Sequence, residues 1–427
     1  MKKEPTPISR IRKSYQTSRS PKASSSNPST GSDVTSIGNY TTTGSSSNKD
    51  NTSRTSISSR TSLKSLKDSL PENAHIYDFS EIRSATNNFL AKRFSSSSSS
   101  AWRCLIRGKD VIVFQRKFRR PIETSQLRER LSMICKSHHI SLIKLLGASI
   151  SGDYIYLVYE YVNGANLRDC LRNPKNPEYT VLSTWTSRMQ IAADLAQGLE
   201  YIHHYTGLNL SLVHNHIKST SVIVTEPSFN ARICHYGTAE LCGEIDRDHH
   251  HRHQKLQTGE IQEVIEDPTT SKSKLRRSNS TKFVGTRGYM SPEYQSTGIA
   301  TQRSDVYAFG VVILELLSGE ETLKFKHDKE RGDYRSVSVI ETAREAIESD
   351  DFEKIRRWMD RRLKDSFPVE IAEKLTRVAL ECVQVDPDKR PDMRRVSGKI
   401  SKLYLESMKW SNKMGTPMDF TNSLAPR

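Results

Sequence analysis

Residues 1–70 carry almost no apolar pattern. Thirty of these positions are Ser or Thr, and large apolar residues are few. Such a segment buries too little surface to offset its ordering entropy, so a disordered, phosphorylatable tail is expected. Patterning begins at "YDFSEIRSATNNF" (77–89), where Ile82, Ala85 and Phe89 recur at helical spacing and Ser80 is the expected N-cap. Six serines follow at 95–100. The segments "DVIVFQ" (110–115) and "YIYLVYEYV" (154–162) are rich in β-branched and aromatic residues and read as strands. Between them, "LRERLSMICK" (127–136) reads as a helix.

Beyond that point the pattern is helical. "RMQIAADLAQGLEYIHHY" (188–205) sets Ile191, Leu195, Leu199 and Ile202 on one stripe. "DVYAFGVVILELLSG" (305–319) is apolar nearly all round, as a buried helix would be, and "IAEKLTRVALECVQ" (371–384) is amphipathic. Strands followed by helices predict an α+β domain of two lobes. The expected domain spans residues 71–410, with a small β-rich lobe over about 77–160 and a larger helical lobe over about 161–406. Residues 411–427 form a C-terminal tail. Residues 240–282 break the pattern with "DRDHHHRH", an acidic patch and "SKSKLRRSNST", and a mobile insert is expected there.

Composition agrees with one folded domain and unfolded flanks: 35% of the 427 residues are hydrophobic. There is no run of about 18 apolar residues, so no membrane span is expected. "MKKEPTPISR" has no apolar stretch behind its charges, and Lys2 stands where N-myristoylation needs glycine. A cytoplasmic protein is expected, with loose association of the basic tail at the inner face of the plasma membrane left open. The six cysteines form no Cys-x-x-Cys pair and read as buried thiols. The net charge of +16 lies largely in the tails and insert, without interleaved aromatics or a reader motif, which argues against nucleic acid as a partner.

Several motifs then occur in order: "FSEIRSATNNF", "LVYEYVNGANL", "IAADLAQGLEYIHH", "GTRGYMSPEY", "SDVYAFGVVILELLSG" and "DPDKRPDM". From about residue 77 to 406 the chain resembles the protein-kinase domain of plant receptor-like kinases, with a flavour of the LysM receptor-like kinases. The resemblance implies a two-lobed kinase fold. It also implies structural roles for His214, for Asp305 under the catalytic-loop backbone, and for a Glu293–Arg390 ion pair.

Phosphoryl transfer needs phosphates held, metal held and a nucleophile oriented. By the resemblance, the glycines of the phosphate-covering loop fall at Ser95, Ser97 and Ser100, whose Cβ atoms obstruct close backbone approach. The strand lysine falls at Phe114, with Arg116 two residues on and on the same strand face. The helix glutamate that would hold that lysine falls near Arg130, beside Glu129. The metal-binding Asp and Asn fall at His235 and Ser221, and the catalytic base at His216. Lys218 keeps a phosphate-contacting position, and Asn215 replaces the loop arginine. Magnesium asks for hard oxygen ligands, which an imidazole does not supply. A histidine can accept a proton, but without metal, lysine and glycine loop it lacks the electrostatic framework of the reaction.

The expected function is therefore that of a pseudokinase, a scaffold or allosteric partner of other protein kinases or receptor complexes. No cofactor is expected. ATP and Mg²⁺ belong to the alternative, a weak or unconventional Ser/Thr kinase. Histidines 214, 216, 235, 249–251 and 253 offer nitrogen ligands for another metal, but no metal site is expected, because the first packs in this family and a loop run is usually solvated. In "RRSNS" (276–280), Ser278 and Ser280 follow arginines at spacings that suit basophilic kinases.

Overall fold

The computed structural model describes residues 74–94, 100–120, 122–172, 182–206, 212–225, 228–245, 286–328, 333–348 and 351–414. All belong to one unit by their contacts, Ser62–Arg427. Tail residues 1–70, Ser95, Ser97, Ser278, Ser280 and histidines 249–251 and 253 lie outside the described residues.

The N-terminal lobe contains β1 (His75–Ile76), α1 (Phe79–Ala85), β2 (Ala101–Ile106), β3 (Lys109–Lys117), α2 (Thr124–Lys136), β4 (Leu145–Ser151) and β5 (Tyr154–Glu160). The five strands form one sheet in the order β1-β4-β5-β3-β2, antiparallel except for the parallel β1–β4 pair. Gly147 on β4 is required there, because a Cβ would run into the His75 carbonyl of β1.

The C-terminal lobe begins with β6 (Gly164–Asn166), α3 (Leu167–Arg172) and α4 (Trp185–His204). It continues with β7 (Val222–Thr225), β8 (Ala231–Ile233) and the short α5 (Thr238–Leu241). Strands β6, β7 and β8 make a three-stranded antiparallel sheet. Then come α6 (Pro292–Thr297), α7 (Gln302–Ser318) and a hairpin of β9 (Leu323–Asp328) and β10 (Asp333–Ser338). Helices α8 (Val339–Ile347), α9 (Phe352–Trp358), α10 (Val369–Cys382) and α11 (Met393–Lys413) complete the lobe. As its all-round apolar pattern predicts, α7 is buried, with Val311, Val312, Ile313 and Leu314 fully inside the main core. The main core runs from α2 and β5 through α4, α7 and α10 to α11, so one apolar body supports both walls of the cleft between the lobes. No helix among the described residues is long and apolar enough to cross a membrane.

Three local expectations change. Asp78, not Ser80, caps α1: its Oδ1 accepts the Ser80 N–H at 3.0 Å. Phe89 is not on the helical stripe, because α1 stops at Ala85 and Asn87, Asn88 and Phe89 all have φ between 50° and 63°. The strain is offset by burial of the Phe89 ring, whose centroid lies 5.1 Å from that of Trp102 and 5.3 Å from that of Tyr156. The expected insert also starts too early. Residues 240–245 belong to the fold: Ala239, Leu241 and Cys242 are fully buried, and Cys242 O accepts the Arg119 N–H at 2.9 Å.

Candidate functional site

A cleft of about 1150 Å³ runs between the lobes. Its floor is the loop His214–Ser221 and its roof is β3. The loop is held from below by Asp305 near the start of α7. The Asp305 carboxylate accepts the N–H groups of His214 at 2.6 Å and Asn215 at 2.8 Å, and lies 3.1 Å from His203 Nε2. His214 Nδ1 accepts the His216 N–H at 3.2 Å, so its other nitrogen carries the proton and donates to Cys234 O at 2.8 Å. Burial pushes the His214 pKa down to about 4, which matches this neutral tautomer. Glu293 and Arg390 meet in two hydrogen bonds of 2.7 Å, and Arg390 also donates to the carbonyls of Gln384, Arg303 and Val385.

Phe114 enters the cleft from β3, half-buried, and its ring stands edge-on to His235 with centroids 4.6 Å apart. The ring of Tyr159 packs on Phe114 at 5.8 Å, and its hydroxyl donates to Tyr236 O at 2.9 Å. The Arg116 guanidinium lies 5.5 Å from the Phe114 ring centroid. His235 is buried with φ +65°, and its Nδ1 has no hydrogen-bond partner among the described residues. Burial, with the charge of Arg116 adding to it, holds the His235 pKa well below the usual imidazole value. Ser221 is fully buried, and its hydroxyl likewise has no partner among the described residues. Lys218 Nζ donates to Thr286 Oγ1 at 3.3 Å, and burial lowers its pKa. Ser100 lines the cleft through a backbone that accepts the Gln115 N–H at 3.0 Å.

Two contacts were not visible in the sequence. Glu244 turns back into the cleft: Asn215 Nδ2 donates to its Oε2 at 3.0 Å, and His216 Nε2 lies 3.0 Å from the same oxygen. The His216 approach misses hydrogen-bond geometry. Burial alone would raise the Glu244 pKa, but the His216 and Arg119 charges and the Asn215 donor outweigh it and hold the carboxyl at about 2. The second contact joins α2 to α5. Arg130, expected near the position of the helix glutamate, has its Nε 3.8 Å from Oε1 of the buried Glu240. Gly237 makes the join possible, since at φ +81° an added Cβ would sit 2.6 Å from Ile134 Cγ2 of α2.

A strand-rich lobe, a helical lobe and a cleft floored by this loop agree with a sequence match: the protein kinase domain pattern covers residues 108–399. The chain belongs to the protein kinase family. The domain is related to those of plant receptor-like kinases. LysM domain receptor-like kinase 3 of Arabidopsis thaliana is 32% identical over 79% of this chain and 48% of that protein. Protein LYK5 of the same organism is 29% identical over 79% of this chain and 45% of that protein. The chain spans about half the length of these curated relatives. Among solved structures, the pseudokinase domain of BIR2, an immune regulator of the RLK/Pelle family, superposes with a TM-score of 0.56. That likeness covers 82% of this chain and 96% of the BIR2 chain at 20% identity, and it speaks to fold.

The residues of this kinase domain do not fit the nucleotide and metal of the family. His235 is a buried imidazole whose pKa is held low and Ser221 a buried hydroxyl, neither of them the carboxylate oxygens that Mg²⁺ prefers. The uncharged ring of Phe114 on β3 is in contact with that imidazole. Among the described residues, no three His, Cys, Asp or Glu side chains gather as a metal site.

Proposed function

We propose that this kinase domain is a pseudokinase that serves as a scaffold or allosteric partner in receptor-like-kinase phosphorylation signalling. The observation that carries the reading is the 4.6 Å edge-on contact of Phe114 with His235. The two positions that would bring lysine to phosphate and carboxylate to metal instead close on one another as an aromatic pair. Without those charges the electrostatic stabilisation that dominates phosphoryl transfer is missing. Meanwhile the loop under Asp305, the Glu293–Arg390 pair and the continuous core keep the fold rigid enough to present surfaces to a partner. Its partners are other protein kinases or receptor complexes, and phosphorylation at Ser278 and Ser280 in "RRSNS" regulates that docking.

The test is a thermal shift of the full chain with ATP and Mg²⁺ or Mn²⁺, beside a phosphotransfer assay. The expected result is neither metal-dependent stabilisation nor transfer. Metal-dependent binding together with transfer would favour the rival reading, a weak Ser/Thr kinase using His216 and Arg116.

A further inference from the structure

Helix α11 is pinned along one side and bare along the other. On the inner side Val396, Ile400 and Leu403 are buried in the main core. Trp185 Nε1 of α4 donates to Ser407 Oγ at 2.9 Å, and the Tyr404 hydroxyl donates to Gln190 Oε1 of α4 at 2.6 Å. These contacts fix which face of the helix looks outward. At about 1.5 Å per residue, its 21 residues run for about 31 Å.

The outward face carries one sign of charge. The helix holds six Lys or Arg residues and one acid, Glu406. Lys399 is met by Glu381 of α10 at 2.6 Å. Arg394, Arg395, Lys402, Lys409 and Lys413 are exposed, and none pairs with a carboxylate among the described residues. Arg395, Lys402 and Lys409 recur every seven residues, about two turns, and so share one strip. Lys409 and Lys413 are four apart, where like charges repel. Leu405 stands on the strip between Lys402 and Lys409 and is 59% exposed, and Met414, just past the helix end, is 63% exposed. Gly398 lies on the same strip, and nothing stands within 4 Å of where its Cβ would be, so no packing inside the domain requires glycine there.

We propose that the outer face of α11 docks this domain on an anionic phospholipid bilayer. A row of unpaired cations about 31 Å long matches a flat array of singly charged headgroups, and each cation adds about fivefold to the partition. Lysine stems lie along the acyl boundary while their ammonium groups stay in water, and Leu405 and Met414 enter the apolar edge between them. A nucleic acid would answer to the same cations but gains nothing from Leu405 and Met414, and no aromatic ring stands on the strip for a base to stack on.

The experiment is co-sedimentation of the full chain with vesicles of phosphatidylcholine, with or without roughly one-third phosphatidylserine. Binding only to the vesicles that contain phosphatidylserine is expected. Lys402→Gln with Lys409→Gln should weaken it about twenty-five-fold, at about fivefold per charge. Leu405→Gln alone should weaken it about fivefold, a loss that a purely ionic contact would not show. The matched pair Lys354→Gln with Lys364→Gln removes the same charge from exposed positions off this face and should change binding by less than about twofold. Every substitution replaces an exposed side chain by a good helix former, so the fold is kept.

Absence of binding, equal loss in the matched pair, or displacement by soluble O-phosphoserine would each overturn the proposal. The basic tail is present in every arm, so binding carried by the tail alone would be insensitive to the α11 substitutions and would overturn it too. Binding to single-stranded RNA with the same dependence, and none to vesicles, would assign the face to nucleic acid instead. None of these outcomes bears on phosphotransfer.

Discussion

Replacing Glu244 by Gln removes an acid that the segment after α5 places against the catalytic-type loop. The carboxyl is lowered from an ordinary 4.5 to about 2, and its side chain is only 14% exposed, so solvent screening is modest. At about 1.4 kcal/mol per pH unit, this corresponds to about 3 kcal/mol of stability from the ionised, paired form. A carboxyl depressed in the fold contributes fully above its unfolded pKa, and the contribution fades as pH falls toward the folded value. Urea denaturation of wild type and Glu244→Gln should therefore differ by about 3 kcal/mol at pH 6. The gap should shrink to roughly half by pH 3. A gap under about 1 kcal/mol at pH 6 would mean that Glu244 is not held as described. A gap that stays constant down to pH 3 would place its effect in packing and refute the electrostatic argument.

Arg390→Ala should cost about 3–5 kcal/mol in the same assay, because it strands the Glu293 carboxylate and three carbonyls around a side chain that is fully buried. Glu293→Gln, which keeps an acceptor for Arg390, should cost less. Gly237→Ala should destabilise by about 2 kcal/mol or more, since it adds a Cβ against Ile134 at a positive φ, and a measured loss below about 0.5 kcal/mol would contradict the packing. Arg130→Ala should speed amide hydrogen exchange across Thr238–Leu241 while leaving α11 unchanged, and unaltered exchange there would deny the α2–α5 link.

The two-lobed α+β fold could be read from the chain because apolar spacing survives wherever an element packs on the core. The stripe Ile191, Leu195, Leu199 and Ile202 lies inside α4, and the all-apolar run at 305–319 lies in the buried α7. Both helices begin a few residues earlier than their stripes suggest, because capping polar residues carry no apolar signal. Thr184 accepts the Ser187 N–H, and Thr301 and Ser304 form a capping box. The β9–β10 hairpin was missed for a similar reason: its lysine-rich "LKFKHD" reads as polar surface.

In the site, the sequence reading turned on which positions lack the expected charge, and it could not show which contacts those side chains make. Glu244 lies 28 residues after His216 in a run dense with charge, which reads as insert until the backbone folds it back. Arg130 and Glu240 are 110 residues apart, and only the apposition of α2 with α5 shows that a basic residue on one is met by an acid on the other. A charge reversal at the helix position was the single available signal. The Phe114–His235 contact likewise joins residues 121 positions apart in the chain into one feature.

The central claim is loss of phosphoryl transfer from a domain that keeps the kinase fold. Its most direct test is incorporation of γ-phosphate from labelled ATP by the full chain with Mg²⁺ or Mn²⁺, on itself and on a generic protein acceptor. The account predicts no incorporation above that of a Lys218→Met variant. Metal-dependent incorporation that disappears in Lys218→Met would contradict it.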